Sequence, residues 1–138
     1  MQALVIDGST TLGFLLKDEK EPHALKALGA IESNVATYVP AHWCVEVANG
    51  LIMAERRKRA SQADITEALN LVRDLPVITD EETGQRAGRE TAALARQYHL
   101  TVYDAAYLEL AMRRGATLAT SDTALAKAAK AVGVAILT

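Results

Sequence analysis

A rhythm of short apolar runs, each set off from the next by helical segments, constrains the fold of this chain most. Residues 3–6 (Ala-Leu-Val-Ile) end at Asp7-Gly8-Ser9, and residues 35–39 are stopped by Pro40. Residues 76–78, 116–119 and 134–137 are further runs of the same kind. Runs without polar alternation read as strands buried on both faces, as in parallel sheets. Pro76 removes an amide donor, so its run is expected at a sheet edge.

The intervening stretches carry helix signals. Ser9 or Thr10 caps a short helix over 9–17, and Pro22 suits the first turn of one running to Ser33. Residues 41–59 form a long helical segment ending in Glu55-Arg56-Arg57-Lys58-Arg59, cations that favour a helix C-terminus. Ser61 and Asp64 resemble a capping box opening a helix to Asp74. Residues 80–98 are helical by composition, acids first and cations later. Thr101 caps a helix over 102–114 with Gly115 at its C′ position, and residues 122–132 form a last helix ended by Gly133. Strands alternating with helices imply parallel pairing and right-handed crossovers. The expected fold is α/β: a three-layer α/β/α sandwich with a central parallel sheet. No linker or repeat divides residues 1–138, so one domain is expected.

Composition narrows the function. Fifteen Lys plus Arg against 17 Asp plus Glu give a net charge of −2, which excludes a protein that holds nucleic acid by bulk positive charge. The single cysteine, Cys44, forms no internal disulfide. No apolar run reaches the roughly 18–20 residues of a membrane span, and Met-Gln-Ala-Leu-Val-Ile-Asp lacks a signal peptide's basic start. A cytoplasmic protein with no membrane partner is expected.

Four acids stand out. Ligands of open α/β sheets bind beyond the C-terminal ends of strands. Asp7 and Asp122 follow two predicted strands there, although a turn and a helix N-cap also account for them. Glu46 and Asp104 lie in apolar helical stretches, Trp43-Cys44-Val45-Glu46-Val47-Ala48 and Val102-Tyr103-Asp104-Ala105-Ala106-Tyr107-Leu108. A carboxylate there is costly unless paired, protonated or bound to metal. The alternatives are a solvated face for Glu46 and a favourable helix start for Asp104. Glu46 shares a stripe with His42, Asn49 and Met53. Four carboxylates facing one pocket would repel one another unless a cation were present, and hard oxygen ligands suit Mg2+ or Mn2+. His23, His42 and His99 have no ligand spacing and are expected in ordinary surface or supporting roles.

Four segments in order carry a family resemblance. They are Leu4-Val5-Ile6-Asp7-Gly8-Ser9, Val45-Glu46-Val47-Ala48-Asn49, Tyr103-Asp104-Ala105-Ala106-Tyr107-Leu108-Glu109-Leu110-Ala111 and Leu118-Ala119-Thr120-Ser121-Asp122-Thr123-Ala124-Leu125. Together they resemble PIN-domain ribonucleases, specifically the VapC-type toxins of toxin–antitoxin pairs. The resemblance implies a parallel sheet with the first strand central. It makes Asp7, Glu46, Asp104 and Asp122 the catalytic and metal-binding acids, supported by Ser9, Thr120 and Asn49. It also implies Mg2+- or Mn2+-dependent cleavage of RNA phosphodiesters, a small cognate antitoxin and a homodimer. Gly8 departs from the pattern, where small residues such as Ala are commoner.

Expected phosphate contacts at the rim are Arg56, Arg57, Lys58, Arg59, Arg113 and Arg114, which also read as solvated helix ends. Leu12, Phe14, Leu15, Leu25 and Leu28 offer apolar surface to a partner, or simply core. Aromatic residues make up 4% of the chain, so platforms for several stacked bases are not evident. Two alternatives remain: a catalytically weak PIN-fold binding protein, and a phosphatase-type phosphotransfer enzyme using Asp7. The second resembles the haloacid-dehalogenase motif only faintly, because Ser9 stands where that motif wants a second Asp.

Overall fold

The computed structural model describes residues 1–138. Four parallel strands, β1 (Ala3–Ile6), β2 (Ala36–Val39), β3 (Ile78–Thr79) and β4 (Thr117–Ala119), form one sheet in the order β3-β2-β1-β4. β1 is central, and β3, which begins two residues after Pro76, lies at the edge as expected; at that edge Ile78 and Thr79 are exposed rather than buried on both faces. The expected last strand contracts to a single parallel bridge, Leu118 to Ile136. Two backbone bonds flank it, from Leu118 N–H to the Ala135 carbonyl and from Leu137 N–H to the Leu118 carbonyl.

Leu4, Val5 and Ile6 are consecutive and all fully buried, so helices cover both faces of β1. Helix α7 (Val102–Arg114) packs on β1, β2 and β4, beside α6 (Ala92–Tyr98) and α8 (Thr123–Ala131). Helix α1 (Gly8–Leu15) packs on α2 (Pro22–Glu32) and α3 (Trp43–Arg56), and α3 on α4 (Gln62–Asp74). The result is the three-layer α/β/α sandwich. No helix is long and apolar enough to cross a membrane.

Several local signals act as written. The Asp64 N–H donates to Ser61 Oγ at 3.1 Å, and the Asp64 carboxylate also reaches Lys17 at 3.2 Å. The Asp104 N–H donates to Thr101 Oγ1 at 3.0 Å, and Gly115 closes α7 at φ +60°. The expected helix over 80–98 divides into a short α5 (Thr83–Arg86), a π-helical turn (Ala87–Thr91) and α6. Asp80 is excluded from it. Its carboxylate is buried against Arg113, with bonds of 2.9 and 2.8 Å.

Candidate active site

The register of two strands builds the site. Ile6 pairs with Ala119, so Asp7 and Thr120 leave the C-terminal sheet edge side by side. Asp7 caps α1, its Oδ1 accepting from the Thr10 N–H at 2.8 Å. Ser9 Oγ lies 2.8 and 2.9 Å from its two oxygens, and Thr120 Oγ1 donates to Oδ2. Thr120 Oγ1 also accepts the Asp122 N–H at 3.0 Å, and Ser9 Oγ accepts the Ser121 N–H at 2.9 Å. The two hydroxyls therefore stitch the loop after β1 to the loop after β4.

Asp122 occupies the N-cap position of α8 but makes no cap hydrogen bond with its side chain. The capping explanation of this acid is thus not realised. Glu46, in the first turn of α3, accepts from the buried Tyr107 hydroxyl at 2.9 Å. Asp104 stands in the first turn of α7.

The acids feel one another. Burial raises the Asp7 carboxyl above its ordinary pKa against the pull of its hydrogen bonds to Thr120, Thr10 and Ser9. Burial also raises Glu46, opposed by the Tyr107 hydrogen bond and reinforced by the charges of Asp104 and Asp7. Burial raises Asp104, helped by Asp122 and Asp7. Four oxygen donors with such mutual repulsion suit a hard divalent cation. As the side chains stand, no group of three His, Cys, Asp or Glu residues is arranged to hold an ion. The donor chemistry fits, although the side chains are not gathered closely enough to form a ligand set.

The expected rim cations are largely engaged elsewhere. Arg59 grips Asp18 at 2.9 and 3.1 Å and Glu19 at 2.7 Å. Arg113 is shared by Asp80, Glu109 and Glu82, and Arg114 lies 4.6 Å over the Tyr38 ring. Arg56, Arg57 and Lys58 are exposed, but Arg57 lies roughly 16 Å along the axis of α3 from Glu46. The apolar set divides: Phe14 is buried core, Leu12, Leu15 and Leu28 are partly buried against it, and Leu25 is exposed.

Sequence reasoning gave Tyr107 no role, and it placed His23 and His42 only in ordinary surface or supporting roles without naming their partners. Tyr107 stood inside a quoted motif, marked only by a polar tip in an apolar helix. His23 places Nε2 3.2 Å from both Thr10 Oγ1 and Ser121 Oγ, with Nδ1 3.3 Å from Glu21. Ser121 Oγ donates to Glu21 at 2.8 Å. His42 lies 3.9 Å from Glu46, a pairing its helical spacing foreshadowed.

A parallel α/β/α sandwich with acids gathered at the C-terminal edge of β1 and β4 is the setting of a PIN domain. Residues 4–131 match the PIN domain family, and the chain belongs to it. It is 31% identical over 127 residues to Ribonuclease VapC3 of Mycobacterium tuberculosis, spanning 92% of this chain and 88% of that protein. Among solved structures, PAE2754 from Pyrobaculum aerophilum aligns with a TM-score of 0.71 and 20% identity, covering 98% of this chain and 83% of the other. VapBC2 from Rickettsia felis, solved bound to a DNA fragment from their promoter, aligns at 0.63 with 14% identity, covering 99% and 97%. These structures share the fold.

Proposed function

We propose that this chain is a metal-dependent endoribonuclease, using Mg2+ or Mn2+, and the toxin of a toxin–antitoxin pair. Its partners in this reading are an RNA substrate, a small cognate antitoxin and a second copy of itself, in the cytoplasm. One observation carries the proposal: Asp7, Glu46, Asp104 and Asp122 form one mutually repelling set at the sheet's C-terminal edge. The likeness to Ribonuclease VapC3 supports RNA as the substrate.

Asp7, Asp104 and Asp122 would hold the ion. When bound, it supplies charge neutralisation at the phosphate and lowers the pKa of nearby water. Ser9, Thr10 and Thr120 fix the Asp7 carboxylate. Tyr107 holds Glu46 by Oε2, which leaves Oε1 to take the proton of the attacking water. A nucleophilic Asp7 is disfavoured, because Ser9 stands where the acid of a phosphotransfer site would be and its hydroxyl is engaged by Asp7 itself.

The test is cleavage of a defined RNA by the purified chain, free of antitoxin. EDTA abolishes cutting, and Mg2+ or Mn2+ restores it. Asp104→Asn, purified identically, controls for contaminating ribonuclease. No cutting with either ion, or equal cutting by the variant, overturns the proposal.

A further inference from the structure

Beside the carboxylates, α3 and the start of α7 enclose an open cleft of about 470 Å3. His42, Val45 and Asn49 line it from α3 and Thr101 and Tyr103 from the other side, with Glu46 and Asp104 completing the wall. Val45 and Tyr103 are 69% and 67% exposed, the most exposed large hydrophobic residues of the molecule. Both border the carboxylates, where a substrate of the proposed site would pass.

The Tyr103 ring is braced. The His42 ring meets it edge-on, with centroids 5.5 Å apart at 67°. His42 Nε2 lies 3.1 Å from the Tyr103 carbonyl oxygen; a carbonyl only accepts, so Nε2 carries the hydrogen. His42 leans in turn on the buried Tyr107 ring, 5.3 Å away. An exposed aromatic ring is thus held from the core without being covered by it, and needs little ordering when a partner stacks on it.

Charge identifies what stacks there. Glu46 and Asp104 repel a phosphate, and no Lys or Arg lines the cleft. A flat, neutral, hydrogen-bonding group fits instead. Asn49 offers both a donor and an acceptor, whereas the Thr101 hydroxyl is engaged with Asp104, accepting its N–H and bonding its carboxylate.

We propose that this cleft is a subsite for one unstacked nucleobase of the RNA, stacked on Tyr103 and met at its edge by Asn49, beside the scissile phosphate. The subsite presupposes the nuclease function above and makes the substrate single-stranded at the cut. A single platform suffices, which reconciles base recognition with so few aromatic residues.

The test uses an oligoribonucleotide with a mapped cut, made abasic at each flanking position in turn. One abasic position lowers wild-type kcat/KM about tenfold or more, the scale of one base–aromatic stack. Tyr103→Ala costs as much on intact RNA, and combining the two costs no more than either alone. Tyr103→Phe, which keeps the ring, rescues the loss. Additive losses, or Tyr103→Ala cutting as wild type does, overturn the subsite. So does a changed oligomeric state in Tyr103→Ala, which would mean that a second copy covers the ring. Binding of the same oligonucleotides to Asp7→Asn, with and without Tyr103→Ala, separates the two proposals. Loss of binding with Tyr103→Ala, together with cutting that Asp104→Asn retains, leaves a base-binding cleft and removes the assigned nuclease centre. Cutting with Tyr103-independent binding does the reverse.

Discussion

The Tyr107 hydroxyl donates to Glu46 Oε2 at 2.9 Å, joining the middle of α7 to the first turn of α3. Burial, and then the Glu46 charge, pushes the phenol pKa well above its ordinary value, so it remains a donor at any working pH. Tyr107→Phe keeps the buried ring and deletes only this bond. The expected result is a kcat about tenfold lower on RNA and a loss of about 1 kcal/mol in unfolding free energy. A kcat equal to wild type would show that Glu46 needs no such anchor.

The Asp80–Arg113 pair makes a pH-dependent contribution to stability. The Arg113 guanidinium holds the buried Asp80 carboxyl below the ordinary carboxylate range. A folded pKa below the unfolded one stabilises fully above the unfolded value, near 3.8, and the gain is lost as pH falls through the folded value. Asp80→Asn is expected to cost about 2 kcal/mol at pH 7, less than a lone buried pair because Glu109 still holds Arg113. In urea unfolding at a series of pH values, the deficit should stay constant down to about pH 4 and shrink below it. A deficit that grows on acidification would contradict the assigned sign.

The sequence carried the sheet, and it marked the four acids of the proposed site, because both are local patterns. Apolar runs identify the strands; Asp7 follows β1 directly, and Asp122 lies three residues past the end of β4. Glu46 and Asp104 are conspicuous because charge is costly in apolar helices. The hidden parts are relationships between distant segments. Nothing near Asp80 announces Arg113, and nothing in Tyr107 names Glu46. The rim cations were unreadable for the same reason: Arg59 looks free in its basic run until Asp18 and Glu19 fold against it. The acids at 80–82 suited a helix start, yet burial of Asp80 moved that start to Thr83.

Two glycines permit close approaches that make contrasting predictions. A Cβ on Gly50 would lie 2.6 Å from Leu12 Cδ1, where α3 crosses α1. Gly50→Ala is therefore expected to destabilise by about 1–3 kcal/mol through overpacking. A Cβ on Gly8 would meet only the Glu46 side chain, at 3.1 Å from Oε1. Gly8→Ala should leave thermal unfolding nearly unchanged while shifting kcat, because the group displaced is the proposed proton acceptor. Equal loss of stability in both variants would contradict the distinction.

Repulsion within the acid set separates stability from activity. Burial, followed by the charges of Asp122 and Asp7, raises the Asp104 pKa, so ionised Asp104 opposes folding when no cation is present. Asp104→Asn removes that charge and keeps the shape. In EDTA the variant should melt about 2–5 °C above wild type. Mg2+ or Mn2+ should reverse the order. A bound ion stabilises the folded wild type by mass action, about 2.7 kcal/mol at a hundred times its Kd, whereas the variant has lost a ligand and should gain little. RNA cleavage should be lost in the variant under both conditions. Equal thermal responses of the two proteins to the ion would exclude Asp104 from the metal-binding set. A variant less stable than wild type in EDTA would mean that Asp104 is held by favourable contacts rather than against its neighbours.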